Sequence, residues 1–516
     1  MKMELHDYDI FPKVFPVGVS ADITVKPLGV HTKFSGEYKI MVQRLDGGHI
    51  GHEFSAWNHT DYFVTPCEDG CLRFTYTADK EGELAVRIYK KDSDRRTVQL
   101  NLYALAEDMA DRIPLRGDLH MHTCRSDGHG DPAVVCADYR MKGYDFIVVT
   151  DHSRYYPSLE AMRAYKGVKT ALNILPGEEV HLPQTDVHIV NAGGLFSING
   201  LFDYLRNYIE TDGDIDARRF DDTITPPDIV TDEQYNRELD AIEASLTDVH
   251  IVNAGGLFSI NGLFDYLRNY IETNGDIDAR RFDDTITPPD IVTDEQYNRE
   301  LDAIEAALTD VPADVNKRWY AVCVWAFDKI REAGGLGIFA HPYWISDMWQ
   351  IHEPFTQYML ANKPFDAFEV LGGENYYQQN GFQTAIYYDE YRRGNVLPIV
   401  GSTDSHNSTE NNRNAAICST IVFAHKNERA DILQSIKDKY SVAVDTISAE
   451  YRLVGEHRFQ KYACYLMENF YPLHDRAAYS DGEIMRKYYL GEADASVVEA
   501  TAALADKMFD KYFLLA

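Results

Sequence analysis

Histidines and carboxylates occur in short clusters that together could ligate metal ions. Imidazole and carboxylate in combination suit Zn, Mn or Fe, whereas Ca and Mg prefer oxygen ligands alone. The clusters are spread over almost three hundred residues, and most of them follow an apolar run. The candidate residues are His120, His122, Asp127, His152, Glu179, His341, Asp404 and His406. So many candidate ligands in one chain predict a centre that holds more than one ion.

The spacing within two clusters also suits ligation from a strand. One residue separates His120 from His122, and one residue separates Asp404 from His406. Because side chains alternate along a strand, residues with this spacing point to the same face. Each pair can therefore address one ion.

Carboxylates near the clusters have two predicted roles. Asp127 lies in a Ser-Asp-Gly turn that can fold its carboxylate over the site, and Glu179 could bridge two ions. Glu178 is the alternative to Glu179. Asp118 and Asp151 are candidate acceptors for the second imidazole nitrogens, which would fix the histidine tautomers.

The apolar runs before the clusters predict strands of a buried parallel sheet. Residues 146–150, 337–340 and 396–401 are apolar without alternation, as expected for strands covered on both faces. Helical patterns lie between them, for example at 320–333 and 380–393. Alternating strands and helices indicate an α/β barrel, whose ligands would come from the C-terminal ends of successive strands.

The two ends of the chain have a different pattern. Residues 1–108 alternate apolar and polar positions between Gly, Asp and Asn turns, which predicts an N-terminal β-sandwich. Residues 448–516 carry apolar and aromatic side chains at helical spacing, which predicts a C-terminal helical appendage. The barrel would occupy about 115–447.

An internal repeat interrupts the predicted barrel. Residues 185–246 recur as 247–308 with only two positions different. Repeats of a solenoid diverge and usually number three or more, so this pair indicates a tandem duplication or an error in assembling the gene sequence. Both copies are rich in Asp and Glu, so part of the net charge of −32 comes from the duplication.

The motifs, taken in order, resemble a known family. DLHMHT, SDG, TDH, GEE, VHIV, AHP and GSTDSHN are similar to the PHP (polymerase and histidinol phosphatase) family of metal-dependent phosphoesterases, over about residues 115–447. The resemblance implies a distorted (β/α)7 TIM-like barrel with two or three divalent transition-metal ions. The segment RGDLHMHT after a β domain is also similar to a subgroup that includes ester and carbamate hydrolases.

The resemblance also implies which residues bind each ion. The first ion would be bound by His120, His122, Glu179 and Asp404, the second by Glu179, His188 and His341, and the third by Asp127, His152 and His406.

The duplication offers two candidates for one of these ligands, His188 and His250. Copy one follows Glu179 after a short connection, so its strand can pair with little loop-closure cost. We therefore expect His188 in the site and surplus material, around 247–308, outside the barrel. The last helix of copy two runs directly into the next predicted helix. This favours its taking the place that the last helix of a single copy would have in the fold.

These features together predict an enzyme. We expect a metal-dependent hydrolase that cleaves a small phosphate ester with a metal-activated hydroxide. The alternatives are a carboxylic or carbamic ester hydrolase on the same centre, and a non-catalytic scaffold that binds metal or glycan. Arg125 could bind a phosphoryl oxygen. The residues predicted to be catalytic are His120, His122, Glu179, Asp404, His406 and Arg125.

Composition limits the partners. A net charge of −32 repels polyphosphate backbones, which disfavours duplex nucleic acid and favours a small-molecule substrate. The sequence shows neither a signal peptide nor an apolar run of transmembrane length, so a membrane partner is not expected. The seven cysteines are odd in number and suit reduced thiols, which favours the cytoplasm. The oligomeric state stays open.

Overall fold

The computed structural model describes residues 4–47, 62–202, 292–345, 348–372, 377–409, 418–446 and 451–515. A short helix, α1 (Glu4–Asp7), precedes a sheet of eight strands. These strands are β1 (Tyr8–Phe11), β2 (Val14–Pro16), β3 (Ser20–Pro27), β4 (Glu37–Arg44), β5 (Tyr62–Glu68), β6 (Cys71–Thr77), β7 (Gly82–Lys90) and β8 (Arg96–Leu105).

The N-terminal sheet has the strand order β1-β3-β6-β5-β4-β7-β8-β2. Its pairs are antiparallel except for β2 with β8, and β5 pairs with both β4 and β6. The two halves of the sheet share one core, to which β3 contributes Ile23 and Val25 and β7 contributes Val86 and Ile88. Alternating burial along β3 agrees with a strand that has one face in this core.

The middle of the chain mixes strands and helices. Its strands are β9 (Ile113–Asp118), β10 (Phe146–Val148), β11 (Asn173–Leu175), β12 (Gly177–Val180), β13 (Ile189–Ala192), β14 (Leu336–Phe339), β15 (Ala367–Leu371), β16 (Ile399–Gly401), β17 (Cys418–Ala424), β18 (Ser441–Asp445) and β19 (Arg452–Val454). Its helices are α2 (Pro132–Met141), α3 (Tyr156–Ala164), α4 (Asp294–Ala307), α5 (Lys317–Glu332), α6 (Glu353–Asn362), α7 (Tyr377–Arg392) and α8 (Arg429–Lys437).

These strands form two sheets with the orders β11-β10-β9-β17-β18-β19 and β12-β13-β14-β15-β16. Most of their residues are buried, as the unbroken apolar runs predict. One core cluster lies between the sheets and takes residues from both of them, among them Leu115, Val148, Leu175, Val190, Ile338 and Val400.

Backbone hydrogen bonds connect the two sheets where two candidate clusters meet. The His122 amide donates to Ser405 O at 3.0 Å, and the Asp404 amide donates to His120 O at 2.9 Å. On the other side, the Ser153 amide donates to Glu179 O at 3.0 Å. The mixed α/β arrangement is therefore barrel-like, and candidate ligands lie at both junctions.

One strand runs against the predicted direction. β13 is antiparallel to both β12 and β14, with Ile189 opposite Val180 on one side and Phe339 on the other. His188 precedes this strand, so the reversal brings it to the same end as His181 and His341, which follow β12 and β14. The expectation that each ligand follows the C-terminal end of a parallel strand is therefore wrong for His188.

The two copies of the repeat contribute to one structural unit. Copy one provides β13, and copy two provides α4. They meet where the Val292 amide donates to Leu201 O at 2.8 Å and where the Phe202 and Tyr297 rings lie 5.1 Å apart. Val292, Tyr297 and Leu301 enter the core that α5 also lines, which agrees with the expectation that the last helix of copy two leads into the next helix. The expected surplus segment from 247 to 291 lies outside the described residues. His250 lies outside the described residues.

The C-terminal helices are α9 (His457–Asn469), α10 (Tyr471–Tyr489) and α11 (Ala495–Tyr512). The Tyr462 and Tyr465 rings of α9 lie 4.8 and 5.3 Å from Tyr103 of the N-terminal sheet. The region predicted as helical also contains β19, which pairs with β18. Among the described helices, none combines the length and the apolar character needed to cross a membrane.

Candidate metal centre

The carboxylate of Glu179 lies at the centre of the clustered histidines. It is fully buried at the end of β12. Its Oε1 lies 2.7 Å from His188 Nδ1, and its Oε2 lies 3.4 Å from the Nε2 atoms of both His120 and His122. The two oxygens therefore face different imidazole groups, as a bridging ligand requires.

Asp404 faces the same space from the opposite junction. Its Oδ1 lies 2.9 Å from His122 Nε2 and 3.3 Å from His120 Nε2, and its Oδ2 lies 3.6 Å from His341 Nε2. The Asp404 backbone has a φ of 49°, a left-handed conformation that costs free energy for a residue with a side chain. Strained backbone at a residue with these contacts is typical of a functional position.

A second group of donors lies nearer to solvent. Asp127 Oδ2 lies 3.4 Å from His152 Nε2 and 3.3 Å from His406 Nε2. The Asp127 side chain is 55% exposed, whereas those of His120 and His122 are at most 1% exposed. The centre therefore has a buried inner part and an accessible outer part.

All nine predicted ligands lie in groups of donor atoms within 4.8 Å of one another. The groups are His122, Asp127, His152 and His406; His120, His341 and Asp404; His120, His122 and Glu179; His152, Glu179 and His181; and Glu179, His188 and His341. Their role as ligands stays a prediction. Copy one of the repeat thus places His188 beside Glu179 and His341.

Many inner donor atoms lack a hydrogen bond, which is costly for buried polar groups. In the part of the chain that the structure describes, these atoms are His120 Nε2, His122 Nδ1, Glu179 Oε1 and Oε2, His188 Nδ1, and His341 Nδ1 and Nε2. A divalent ion is the partner that imidazole nitrogens and carboxylate oxygens share. The residues present therefore fit divalent metal ions.

The electrostatics also favour cations. Burial alone would raise the pKa of Glu179, but the charges of His188, His152 and His120 outweigh it and lower the pKa well below its usual range. Burial alone would lower the pKa of His152, but Glu179 and Asp127 raise it to about 10. The carboxylates thus stabilise positive charge among the imidazoles, whether as protons or as metal ions.

The predicted tautomer partners, Asp118 and Asp151, accept hydrogen bonds from backbone amides and hydroxyl groups instead. Asp118 accepts from the His120 amide at 3.2 Å and from the Thr403 hydroxyl at 2.5 Å. Asp151 accepts from the Thr123 amide at 3.0 Å and from the Ser126 hydroxyl at 2.7 Å, which fixes the turn before Asp127. In these contacts both carboxylates position the ligand-bearing segments.

Glu369 is a site residue that the sequence reasoning missed. Its Oε2 lies 3.4 Å from His120 Nδ1 and accepts from the His341 amide at 3.2 Å. It comes from β15, where it is fully buried. The available signal was a single carboxylate inside the apolar run Ala367–Leu371, which is rare for a strand without a function.

The two neighbours of Glu179 have distinct roles. Glu178 accepts from Ser197 Oγ, Asn199 Nδ2 and the Ile198 amide, so its carboxylate holds the segment after β13. His181 places Nε2 at 2.8 Å from His152 Nδ1. Its side chain is 34% exposed.

Arg125 lies beside the outer part of the centre. Its guanidinium donates to both Glu160 oxygens, from Nε at 2.9 Å and from Nη2 at 2.5 Å. A contact with a phosphoryl group stays a prediction, and such a contact would compete with Glu160.

Comparisons with known proteins give distant likenesses. No family model and no curated protein match the chain. A Bacteroides vulgatus two-domain protein with a predicted PHP-like metal-dependent phosphoesterase is 14% identical, over 65% of this chain and 66% of that one, with a TM-score of 0.33. This chain therefore spans about two thirds of that protein's length.

Two further solved structures are similar. A Bifidobacterium adolescentis protein, assigned by prediction as a metal-dependent phosphoesterase, is 19% identical over 57% of this chain and 89% of that one, with a TM-score of 0.30. A Chromobacterium violaceum amidohydrolase with bound sulfate and no metal is 19% identical over 56% of this chain and 87% of that one, with a TM-score of 0.28. Because these TM-scores are low, we draw neither fold nor function from them.

Proposed function

We propose that the chain is a metal-dependent phosphoesterase that hydrolyses a small phosphate ester. The observation that supports this most is the convergence of nine predicted ligands into overlapping donor groups around Glu179, with inner donor atoms that lack hydrogen bonds. We also propose that β9 to β16 form the distorted (β/α)7 barrel, with β11 and β12 as one interrupted strand.

Divalent ions in this centre would supply Lewis acidity and lower the pKa of water to near neutrality. Glu179 and Asp404 would hold the inner ions together with the imidazoles that they face, which come from several strands. No Ser or Cys nucleophile is then needed.

The outer donors define how the substrate enters. Asp127, His152 and His406 have side chains between 27 and 55% exposed, whereas those of His120 and His122 are buried. A phosphate ester would reach the centre from the side of Asp127. His406 Nδ1 donates to Asp404 O at 3.0 Å, which directs its Nε2 to this outer side.

The test combines metal analysis with two model esters. We expect the chain, purified without chelator, to hold two or three transition-metal ions and to cleave p-nitrophenyl phosphate, with activity lost in His120→Ala. Less than one ion per chain would contradict the metal centre. Cleavage of p-nitrophenyl acetate alone would instead support a carboxylic ester hydrolase on the same residues.

A further inference from the structure

We propose that His181, which is outside the predicted ligand set, positions His152 by accepting a hydrogen bond from its Nδ1. This proposal rests on the proposed function, because His152 is assigned to the third ion. His181 would be a positioning residue, since it acts on the ion through another side chain.

The first step is the direction in which His152 points. Its Nε2 faces Asp127 Oδ2 at 3.4 Å, which is the side of the third ion. Its other nitrogen, Nδ1, has two close neighbours, Glu179 Oε2 at 2.7 Å and His181 Nε2 at 2.8 Å. The contact with His181 has the geometry of a hydrogen bond, and the contact with Glu179 is an ion pair when His152 is protonated.

The second step is whether Glu179 can accept a hydrogen bond from His152 when the ions are bound. Its Oε2 also faces His120 Nε2 and His122 Nε2 at 3.4 Å, where the first ion is assigned. An oxygen that coordinates that ion is a poor acceptor for a further N–H group. A histidine ligand usually donates its second N–H to an acceptor that fixes the tautomer and the ring orientation. For His152, that acceptor is His181.

The third step is how His181 is held. Its amide donates to Asn199 Oδ1 at 3.0 Å. Asn199 in turn donates from Nδ2 to Glu178 Oε2 at 2.9 Å and to Glu179 O at 3.1 Å. Asn199 and Glu178 are fully buried, so the backbone of His181 is fixed relative to the centre.

The experiment measures how fast each ion is lost from the zinc-loaded full chain to EDTA. His181→Ala removes the acceptor, whereas His181→Gln keeps a carbonyl oxygen that can accept from His152. We expect His181→Ala to speed the loss of the third ion by about 10- to 100-fold, while the rates at which the two inner ions are lost stay unchanged. His181→Gln should restore most of this loss. His352→Ala, at an exposed histidine bonded to Asp314 O, is the matched control and should behave as wild type.

The other outcomes separate the two proposals. A wild-type chain with less than one ion contradicts the proposed function itself. A wild-type chain with three ions, and an unchanged third ion in His181→Ala, contradicts only the role of His181. Complete loss of one ion in both His181 variants would show that His181 is itself a ligand, which also overturns the positioning role. A wild-type chain with two ions would remove the third site and this proposal with it.

Discussion

Two clusters of buried charged groups in this molecule differ in how completely the chain satisfies them. The candidate metal centre gathers carboxylates and imidazoles, and many of its inner donor atoms lack hydrogen bonds within the described chain. The second cluster, here called the helix clamp, consists of Arg140, Asp145, His474 and Asp481, and its charges pair with one another.

The helix clamp connects α2 and α10 through short contacts. Arg140 donates from Nε to Asp481 Oδ2 at 2.8 Å and from Nη1 to Asp145 Oδ1 at 3.0 Å. His474 Nε2 lies 2.8 Å from the same Asp145 oxygen. Burial alone would raise the pKa of Asp145, but the charges of His474 and Arg140 lower it to about 2.

The difference indicates what each cluster is for. In the helix clamp, each carboxylate has a cationic side chain beside it, so the cluster joins helices without an external partner. In the candidate centre, the carboxylates face imidazoles of which several nitrogens lack a hydrogen bond, so these nitrogens can bind metal ions. Burial of charge alone therefore does not mark a functional site, whereas the convergence of several buried imidazole and carboxylate atoms without hydrogen bonds is typical of one.

The largest effect that would sharpen this comparison is on catalysis. Asp404→Ala removes a carboxylate that faces three histidines, so ion binding and the Lewis acidity it supplies should fall together. We expect kcat/KM to drop by about 1,000-fold or more, as the loss of several kcal/mol implies. Circular dichroism should match the wild type, because Asp404 lies outside the apolar core. Near wild-type turnover would show that the centre is assigned wrongly.

The helix clamp should respond in the opposite way. Arg140→Met leaves Asp481 buried without its cation and Asp145 with His474 alone, and removing one partner of a buried pair costs about 3–5 kcal/mol of unfolding free energy. Urea denaturation measures this loss, and the ion content of the folded fraction should stay unchanged. Arg392→Ala, at an ion pair whose arginine is 77% exposed, is the control and should change stability by about 0.5 kcal/mol or less. If Arg140→Met lost ions but kept its unfolding free energy, the helix clamp would support ion binding rather than stability, and the contrast between the two clusters would fail.

Sequence spacing predicted part of this picture. The period of two in His120-x-His122 predicted two imidazoles on one side, and both face Glu179 Oε2. The same argument does not apply to Asp404-x-His406, because Asp404 has a left-handed φ of 49° and faces the inner histidines, whereas His406 faces Asp127. The direction of β13 could not be read, since an apolar run is the same in a parallel and an antiparallel strand.

Contacts between residues far apart in the sequence could not be predicted either. Glu369 meets His120 across 249 residues of sequence, and Arg140 meets Asp481 across 341. No local pattern encodes such a partner. The partners become visible only when the strands and helices are packed, which is why sequence reasoning chose Asp118 and Asp151 instead.

The pH dependence of ion binding gives a smaller effect with a defined sign. Glu179 and Asp127 raise the pKa of His152 to about 10 in the chain without ions, so the imidazole is protonated at neutral pH. A ligand histidine must be neutral, so binding of the third ion displaces this proton. We therefore expect its apparent affinity to rise with pH up to about 10, by at most about tenfold per unit. Competition with a chelator at pH 6.5, 7.5 and 8.5 measures it.

The same proton affects the stability of the chain without ions. A folded-state pKa above the unfolded value of about 6.5 stabilises the fold at low pH. That stabilisation is complete below pH 6.5 and is lost as the pH rises towards 10. The melting temperature of EDTA-treated protein should therefore fall over this window, whereas that of zinc-loaded protein should not fall in this way. Ion affinity that is independent of pH would contradict the assignment of His152 as a ligand that is protonated in the chain without ions.

The smallest expected effect concerns the duplication. Deleting residues 204–265 joins Asp203 to Tyr266 and restores a single copy, while every described residue stays in the chain. His188, β13 and α4 keep their contacts, including the hydrogen bond from the Val292 amide to Leu201 O. The connection between Phe202 and Val292 becomes shorter, and its lower closure entropy favours folding by about 1 kcal/mol. We therefore expect a melting temperature equal to or slightly above that of the full chain, with unchanged ion content.

His188→Ala in the shortened chain should lose the second ion, because His250 has been removed with the deleted copy. Destabilisation by several kcal/mol would instead show that the deleted copy makes contacts that the rest of the fold requires.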